Sequence, residues 1–439
     1  MRREARPLVC LDVRVSAGYA RVMSRSSPRA QGKTALVLSG GGARGAYEVG
    51  VISYLREELP RQLGWMPHFD ILCGTSVGAI NAAFMAATAE EPLHQGYRLA
   101  ERWRNLALEQ MYRLDMGDLM HAARLMLGGR PPPARPGELH RGGLLNTSGL
   151  ERMVLRTVPW RRIPANMQAG YFEALSVSAT HVPTGNTTVF VDRASGGLPP
   201  WSHNPLVRAR GANIGPFHVL ASAAIPVLFP AVKIDGVFYC DGGLRQNTPL
   251  SPAVRLGADR VLVISLRHLR TPGETAAAES DATDVYPSAW FLLGKALNAL
   301  LLDHTEDDID RLRRLNALAE AGLSAFGERF LAEMHRVRGR PMRVVRPFLI
   351  RPSGDIGRIA AAYARSPRLR ALPGLLGRAL RYVSEAEQRN EADLISYLLF
   401  DGQYCAELIE MGRRDARARE EELIAFFEDK AQLQAIGQG

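Results

Sequence analysis

A serine in a G-x-S-x-G pattern is the first residue of this chain whose setting suggests chemistry. The pattern is G-T-S-V-G at residues 74–78, with Ser76 at its centre. An apolar run at 69–73 leads into it, and a segment of small residues at 77–87 with helical character follows. A sharp strand-to-helix turn of this kind presents the serine hydroxyl outward as a nucleophile, and it needs glycine on both sides because a side chain would clash. The same letters also fit an ordinary strand-to-helix turn with a capping serine.

A glycine-rich loop precedes this serine. The sequence S-G-G-G-A-R-G at residues 39–45 follows an apolar run at 34–38 and opens a helical pattern at 46–58. It fits GxGxxG, which is typical of dinucleotide sites, but that use requires an acid at the end of the next strand, where residues 73–76 offer none. Exposed backbone N–H groups at the start of a helix also suit an oxyanion hole, and a simple packing turn is the third interpretation.

A serine nucleophile needs a base, and Asp241 is the candidate. It begins D-G-G at residues 241–243, directly after the second strand of a hairpin that turns at Asp235-Gly236. The ten histidines include no partner recognisable by local motif. A triad in the order Ser, Asp, His would use His268, just after an apolar run at 261–266. An Asp-Gly turn without catalytic role is the third interpretation.

The elements around these motifs alternate between strands and helices, which is typical of a parallel sheet covered by helices. The pattern predicts strands at 34–38, 69–73, 173–179, 187–191, 232–234, 237–239 and 261–266. It predicts helices at 46–58, 77–87, 97–108, 117–127, 217–224, 250–256, 289–302, 307–319, 371–382, 391–399 and 415–433. Residues 1–32 are expected to be a basic, disordered leader, 33–270 the catalytic domain, and 271–439 a mainly helical C-terminal region that starts with a polar linker at 271–284.

Composition narrows the class of protein. The 439 residues carry a formal net charge of +10 and 46% hydrophobic residues, which excludes a disordered chain. Four cysteines without a CxxC pair argue against a disulfide scaffold or a zinc site and favour a reducing compartment. No apolar run is long enough to span a membrane, and 289–302 is predicted to be a buried or interfacial amphipathic helix. Twelve arginines between His335 and Arg381 form either a surface for anionic lipid or a solvated face.

In order along the chain, these motifs resemble those of the patatin-like phospholipase family. The resemblance rests on residues 39–45, 74–78, A-S-A-A-I-P at 221–226 and D-G-G at 241–243, and it covers about 34–266, roughly half of the chain. It implies a three-layer α/β fold in which helices flank a mainly parallel central sheet, here with a helical C-terminal extension.

The resemblance also implies roles for individual residues. Ser76 would be the nucleophile and Asp241 its general base, a dyad without histidine. The oxyanion hole would be formed at Gly40, Gly41, Gly42, Arg44 and Gly45. The glycines of the elbow would be Gly74 and Gly78, and those of the Asp motif would be Gly242 and Gly243. The Arg44 side chain would either guide an anionic headgroup or pair with a buried acid near the loop, and the second is favoured.

The expected activity is hydrolysis of lipid acyl esters, of the phospholipase A or lysophospholipase type, through an acyl-serine intermediate and without a metal ion or cofactor. The expected partners are a lipid substrate and an anionic membrane surface, with no nucleic acid, and the expected location is cytoplasmic and peripheral at a membrane. Residues 106–145 are expected to form a lid over the acyl-binding cleft. Two alternatives stay open: a Ser-Asp-His esterase that uses His268, and a non-catalytic lipid-binding protein.

Overall fold

The computed structural model describes residues 32–112, 145–195, 197–199, 201, 204–281, 289–302, 305–338, 342–386 and 392–428, with isolated positions between 113 and 144. Nearly all of the expected leader at 1–32, most of the expected helix at 117–127 and most of the expected lid at 106–145 lie outside the described residues.

The strands of the described residues join in one sheet, in the order β5-β4-β3-β2-β1-β8-β9, with a β6-β7 hairpin attached to β3. The pairs β1-β2, β2-β3, β1-β8, β8-β9 and β4-β5 are parallel, and β3-β4, β3-β7 and β6-β7 are antiparallel. The strand bounds are β1 Thr34–Leu38, β2 Ile71–Thr75, β3 Ala174–His181, β4 Asn186–Arg193, β5 Val207–Gly211, β6 Val232–Ile234, β7 Val237–Asp241, β8 Arg260–Ile264 and β9 Arg346–Ile350.

Helices surround this sheet, and a short 3-10 helix, Gly42–Gly45, continues the glycine loop. The helix bounds up to residue 255 are α1 Ala46–Glu57, α2 Leu59–Leu63, α3 Val77–Ala87, α4 Pro92–Arg104, α5 Leu108–Met111, α6 Ser148–Thr157, α7 Arg162–Gln168, α8 Pro216–Ser222, α9 Gly243–Gln246 and α10 Leu250–Arg255. Those beyond it are α11 Pro272–Asp281, α12 Ala289–Leu302, α13 Thr305–Phe326, α14 Glu328–Arg338, α15 Ile356–Ala364, α16 Pro367–Arg370, α17 Gly374–Ala386, α18 Asp393–Leu398, α19 Gly402–Arg417 and α20 Glu420–Glu428.

Strand β1 shows why the architecture has three layers. Its alternate residues belong to two hydrophobic clusters: Leu36 and Leu38 to one, and Ala35 and Val37 to the other. Because successive side chains of a strand point to opposite faces, apolar cores lie on both faces of the sheet. The fold class is therefore α/β, with a mainly parallel sheet between helical layers and a mainly helical C-terminal region, as the sequence predicted.

The C-terminal region contributes directly to this core. Strand β9 extends the sheet by pairing with β8. Helix α19 buries Leu408 and Ile409 in the core cluster that also contains residues of α1, and Arg413 on α19 pairs with Glu58 at 3.1 Å. The two halves of the chain thus share one core.

Several boundaries differ from the sequence-based expectations. The expected linker at 271–284 contains helix α11. Strand β9 and most of helix α19 were not predicted, since β9 is a short apolar run in the arginine-rich segment and finds its partner strand β8 only in the folded chain. That segment is not one solvated face, because it contains β9, whose Phe348 and Ile350 are buried. None of the described helices combines the length and the apolar character that crossing a bilayer requires.

Candidate active site

Ser76 lies in the tight turn between β2 and α3. Its backbone has φ 54° and ψ −124°, a conformation rare for residues with a side chain. A β-carbon on Gly74 would lie 2.3 Å from the Gly78 carbonyl oxygen, and one on Gly78 would lie 2.4 Å from the Leu38 carbonyl oxygen. The turn therefore requires both elbow glycines, and the strained serine between them is of the kind that clusters at functional sites.

The sheet brings Asp241 to this serine. Thr75 at the end of β2 pairs with Ser178 of β3, and Asp241 at the end of β7 pairs with Ala179, the next residue of β3. Because both strands end beside the same point of β3, their terminal residues meet. The Ser76 hydroxyl donates a hydrogen bond to Asp241 Oδ2 at 2.7 Å, although the two residues are 165 positions apart.

Burial sets the electrostatics of the Asp241 carboxyl. The residue is 0% exposed, and its second oxygen accepts a hydrogen bond from the Gly243 N–H at 2.7 Å. Burial raises the pKa of Asp241 from its usual 3.8 to about 7, against the lowering effect of the hydrogen bonds from Ser76 and Gly243. A carboxyl with a pKa near neutral is a stronger base than an ordinary aspartate and is still substantially ionised at neutral pH.

Ser222, at the end of α8, links the Ser76 turn to strand β3 through hydrogen bonds of its hydroxyl. Its hydroxyl accepts a hydrogen bond from the Ser76 N–H at 2.7 Å and donates one to the Ser178 carbonyl at 2.6 Å. The Asp241 N–H donates to the Ala224 carbonyl at 2.9 Å. The A-S-A-A-I-P motif thus holds both members of the pair. Ser222 had no predicted role, and the only signal for it in the sequence was its place in that motif.

The glycine loop differs in part from the expected oxyanion hole. The Gly40 N–H donates to the Asn247 carbonyl at 3.1 Å, so this amide already has a hydrogen-bond acceptor within the chain. Gly45 is a packing position, because a β-carbon there would lie 2.5 Å from a Val77 methyl group. Gly41 and Gly42 are left as the candidate oxyanion donors of the loop.

The Arg44 side chain is structural, as the favoured interpretation held. It is 3% exposed, and its guanidinium donates to Asp393 Oδ1 at 3.0 Å and to the Ser396 hydroxyl at 2.7 Å. The guanidinium carbon also lies 4.3 Å from the centre of the Tyr397 ring. These contacts hold the guanidinium inside the protein, against α18.

His268 is not brought to this pair. Its Nδ1 lies 3.1 Å from the Pro352 carbonyl oxygen, and its Nε2 lies 3.2 Å from the Glu274 carboxylate. Both Asp241 oxygens already accept hydrogen bonds from Ser76 and Gly243. The structure therefore gives no support to the Ser-Asp-His arrangement.

Comparison with known proteins agrees with the motifs. Residues 36–254 match the family model described as patatin-like phospholipase. A curated relative, the "cGAMP-activated phospholipase" of Pseudomonas aeruginosa, is 29% identical over 218 residues, which are 49% of this chain and 53% of the relative. The match therefore spans about half the length of that relative.

Solved structures match the chain as well, among them the following two. VipD from Legionella pneumophila is 15% identical, with 87% of this chain and 67% of that chain covered and a TM-score of 0.29. Human GIVD cytosolic phospholipase A2, in complex with methyl gamma-linolenyl fluorophosphonate, is 12% identical, with 97% and 65% covered and a TM-score of 0.38. At these scores no inference about this chain rests on either structure. Through residues 36–254, which contain the Ser76 turn, the glycine loop and Asp241, the chain belongs to the patatin-like phospholipase family.

Proposed function

We propose that this protein hydrolyses acyl esters of lipids, as a phospholipase A or lysophospholipase, through an acyl-serine intermediate. The observation that carries the proposal is the buried 2.7 Å hydrogen bond from the Ser76 hydroxyl to Asp241, at a turn shaped like a nucleophile elbow. Membership of the patatin-like phospholipase family supports the lipid substrate class.

The chemistry proceeds in two half-reactions. Asp241 accepts the Ser76 proton as the serine oxygen bonds to the ester carbonyl carbon, and the Gly41 and Gly42 N–H groups stabilise the resulting oxyanion. When the intermediate collapses, the alcohol or lysolipid leaves with that proton, and Ser76 keeps the acyl group. Water activated by Asp241 then releases the fatty acid. One well-placed oxyanion donor contributes about 3–4 kcal/mol to such a step.

The membrane contact in this proposal is helix α12. Leu292 and Leu293 on its surface are 49% and 38% exposed, and the chain carries a net charge of +10 that favours anionic lipid. Sedimentation with phosphatidylglycerol vesicles tests it: the Leu292→Ser/Leu293→Ser variant should bind less than the wild type, and Leu318→Ser on α13 is the matched control, since Leu318 is also exposed. Equal binding by all three proteins would exclude α12 as the contact.

The decisive experiment compares the wild type with Ser76→Ala. A fluorophosphonate probe should label the wild type and the control Ser251→Ala, whose serine is exposed on α10, but not Ser76→Ala. Analysis of the lipids released from mixed phospholipids should show free fatty acid and lysolipid with the first two proteins only. Fatty acid release by Ser76→Ala at the wild-type rate would refute the proposed nucleophile.

A further inference from the structure

A single buried carboxylate joins the glycine loop to the C-terminal helices. Asp393, at the start of α18, is 6% exposed. Its Oδ1 lies 3.0 Å from Arg44 Nη2, in the glycine loop, and its Oδ2 lies 2.9 Å from Lys295 Nζ, on α12. Asp393 therefore stands between two cations on elements that are far apart in sequence.

Tyr397, one helical turn after Asp393, makes a second link between the same elements. The Tyr397 carbonyl oxygen packs directly against Gly42 of the loop, since a β-carbon on Gly42 would lie 2.3 Å from this oxygen. Its hydroxyl donates to Asn298 Oδ1 on α12 at 2.9 Å. Residues four apart share one face of a helix, so Asp393 and Tyr397 hold the loop on one side and α12 on the other.

Arg44 connects Asp393 to the backbone of the candidate oxyanion donors. The Arg44 N–H donates to the Gly41 carbonyl at 3.2 Å, so the backbone of Arg44 and the Gly41-Gly42 peptide form one turn. Removal of the Asp393 carboxylate charge would leave the buried guanidinium without this ion pair, which destabilises the present position of the side chain even though Ser396 still accepts a hydrogen bond from it. A displacement of about 1 Å in a catalytic donor can cost about 100-fold in rate.

We propose that Asp393 is a positioning residue that couples the position of helix α12 to the geometry of the oxyanion hole. The inference rests on the proposed function, because it assigns the glycine loop a role in the transition state. It requires that loss of Asp393 lowers the turnover number while leaving substrate binding nearly intact, because oxyanion contacts strengthen only in the transition state. It also requires that Lys295 acts through Asp393.

The first test compares Asp393→Asn with Asp401→Asn. Asp401 is the matched control because it is also buried in the C-terminal region and also paired, with Arg368 at 2.7 Å, but it does not contact the glycine loop. With a soluble p-nitrophenyl ester, Asp393→Asn should lower kcat at least ~10-fold with KM within ~2-fold, and Asp401→Asn should lower kcat less than ~3-fold at a similar loss of Tm. Equal kcat values in the two variants would overturn the inference.

The second test uses Lys295→Gln, a change at a partly exposed residue that the fold should tolerate. It should lower kcat a few-fold, and adding it to Asp393→Asn should cause no further loss, because its partner charge is then already absent. The matched control is Lys233→Gln, at an exposed lysine on β6, which should retain the wild-type kcat. A wild-type kcat for Lys295→Gln, or losses that multiply in the double variant, would refute the coupling.

The rate of fluorophosphonate labelling separates this inference from the proposed function. Labelling needs Ser76 and the oxyanion hole but no particular lipid. If Asp393→Asn labels as fast as Asp401→Asn while Ser76→Ala is inactive and unlabelled, the coupling is wrong and the proposed function stands. If Asp393→Asn labels at least ~10-fold more slowly but neither variant nor wild type hydrolyses lipid, the coupling stands and the lipid substrate is wrong.

Discussion

The buried carboxyl of Asp241 makes the stability of this protein depend on pH in a direction unusual for an aspartate. Its pKa is about 7 in the folded protein and close to 3.8 when the chain unfolds. Below pH 3.8 the carboxyl is protonated in both the folded and the unfolded state, so its titration does not change the free energy of unfolding there. Between these values the folded state holds a proton that the unfolded state has released, so the free energy of unfolding falls as pH rises.

The magnitude follows from the two pKa values. At ~1.36 kcal/mol for each pKa unit, the difference between 3.8 and about 7 corresponds to about 4 kcal/mol of stability lost by pH 8. Asp241→Asn removes the titration but fits the site, because its amide oxygen can accept from Gly243 and its NH₂ can donate to Ser76. We therefore expect Asp241→Asn to gain about 4 kcal/mol over the wild type between pH 4 and pH 8.

Urea unfolding of both proteins at several pH values measures this difference, and other titrating groups cancel in the comparison. Ser76→Ala is the matched control: it keeps the Asp241 carboxyl, so its stability should fall with pH at least as steeply as that of the wild type. A difference between Asp241→Asn and the wild type that stays constant from pH 4 to pH 8 would refute the raised pKa and, with it, the argument that burial makes Asp241 a useful base.

Further predictions concern turnover and local strain. The kcat/KM for a soluble ester should rise with pH through a midpoint near 7, since Asp241 must be ionised to accept a proton; a flat profile from pH 5 to pH 8 would contradict its role as base. Ser76→Gly should be more stable than Ser76→Ala by about 1 kcal/mol in urea unfolding, because glycine relieves the φ of 54°. Gly42→Ala should lower kcat at least ~10-fold, because its φ is 58° and its β-carbon would meet the Tyr397 carbonyl; a wild-type kcat would show that the loop can shift freely. His268→Ala should keep more than ~30% of the wild-type kcat, whereas a ~1,000-fold loss would support the alternative Ser-Asp-His triad.

Local sequence was sufficient for the elements that carry the motifs. The apolar run before Ser76 and the small residues after it predicted a strand and a helix, and the structure has β2 and α3 there. The Asp235-Gly236 pair predicted the hairpin that ends at Asp241. These predictions succeeded because turn residues and hydrophobic periodicity act over a few residues.

Partners from distant parts of the chain were harder to predict. An acid was expected to pair with Arg44, but nothing near Arg44 in the sequence identified Asp393, which lies 349 residues away. Nothing near Gly40 in the sequence indicated that its N–H would donate to the carbonyl of Asn247. Strand β9 was not predicted, because a short apolar run among arginines carries little local signal and its partner strand β8 lies far away in the sequence.

The sequence by itself determined the turn at Ser76, the glycine loop and the hairpin that ends at Asp241, because glycine positions and apolar runs constrain the backbone locally. Only the tertiary structure decided that Ser76 and Asp241 meet, since both strands must pair with β3 at adjacent residues. Only the tertiary structure raises the pKa of Asp241, because desolvation of the carboxyl depends on which residues from the rest of the chain pack around it.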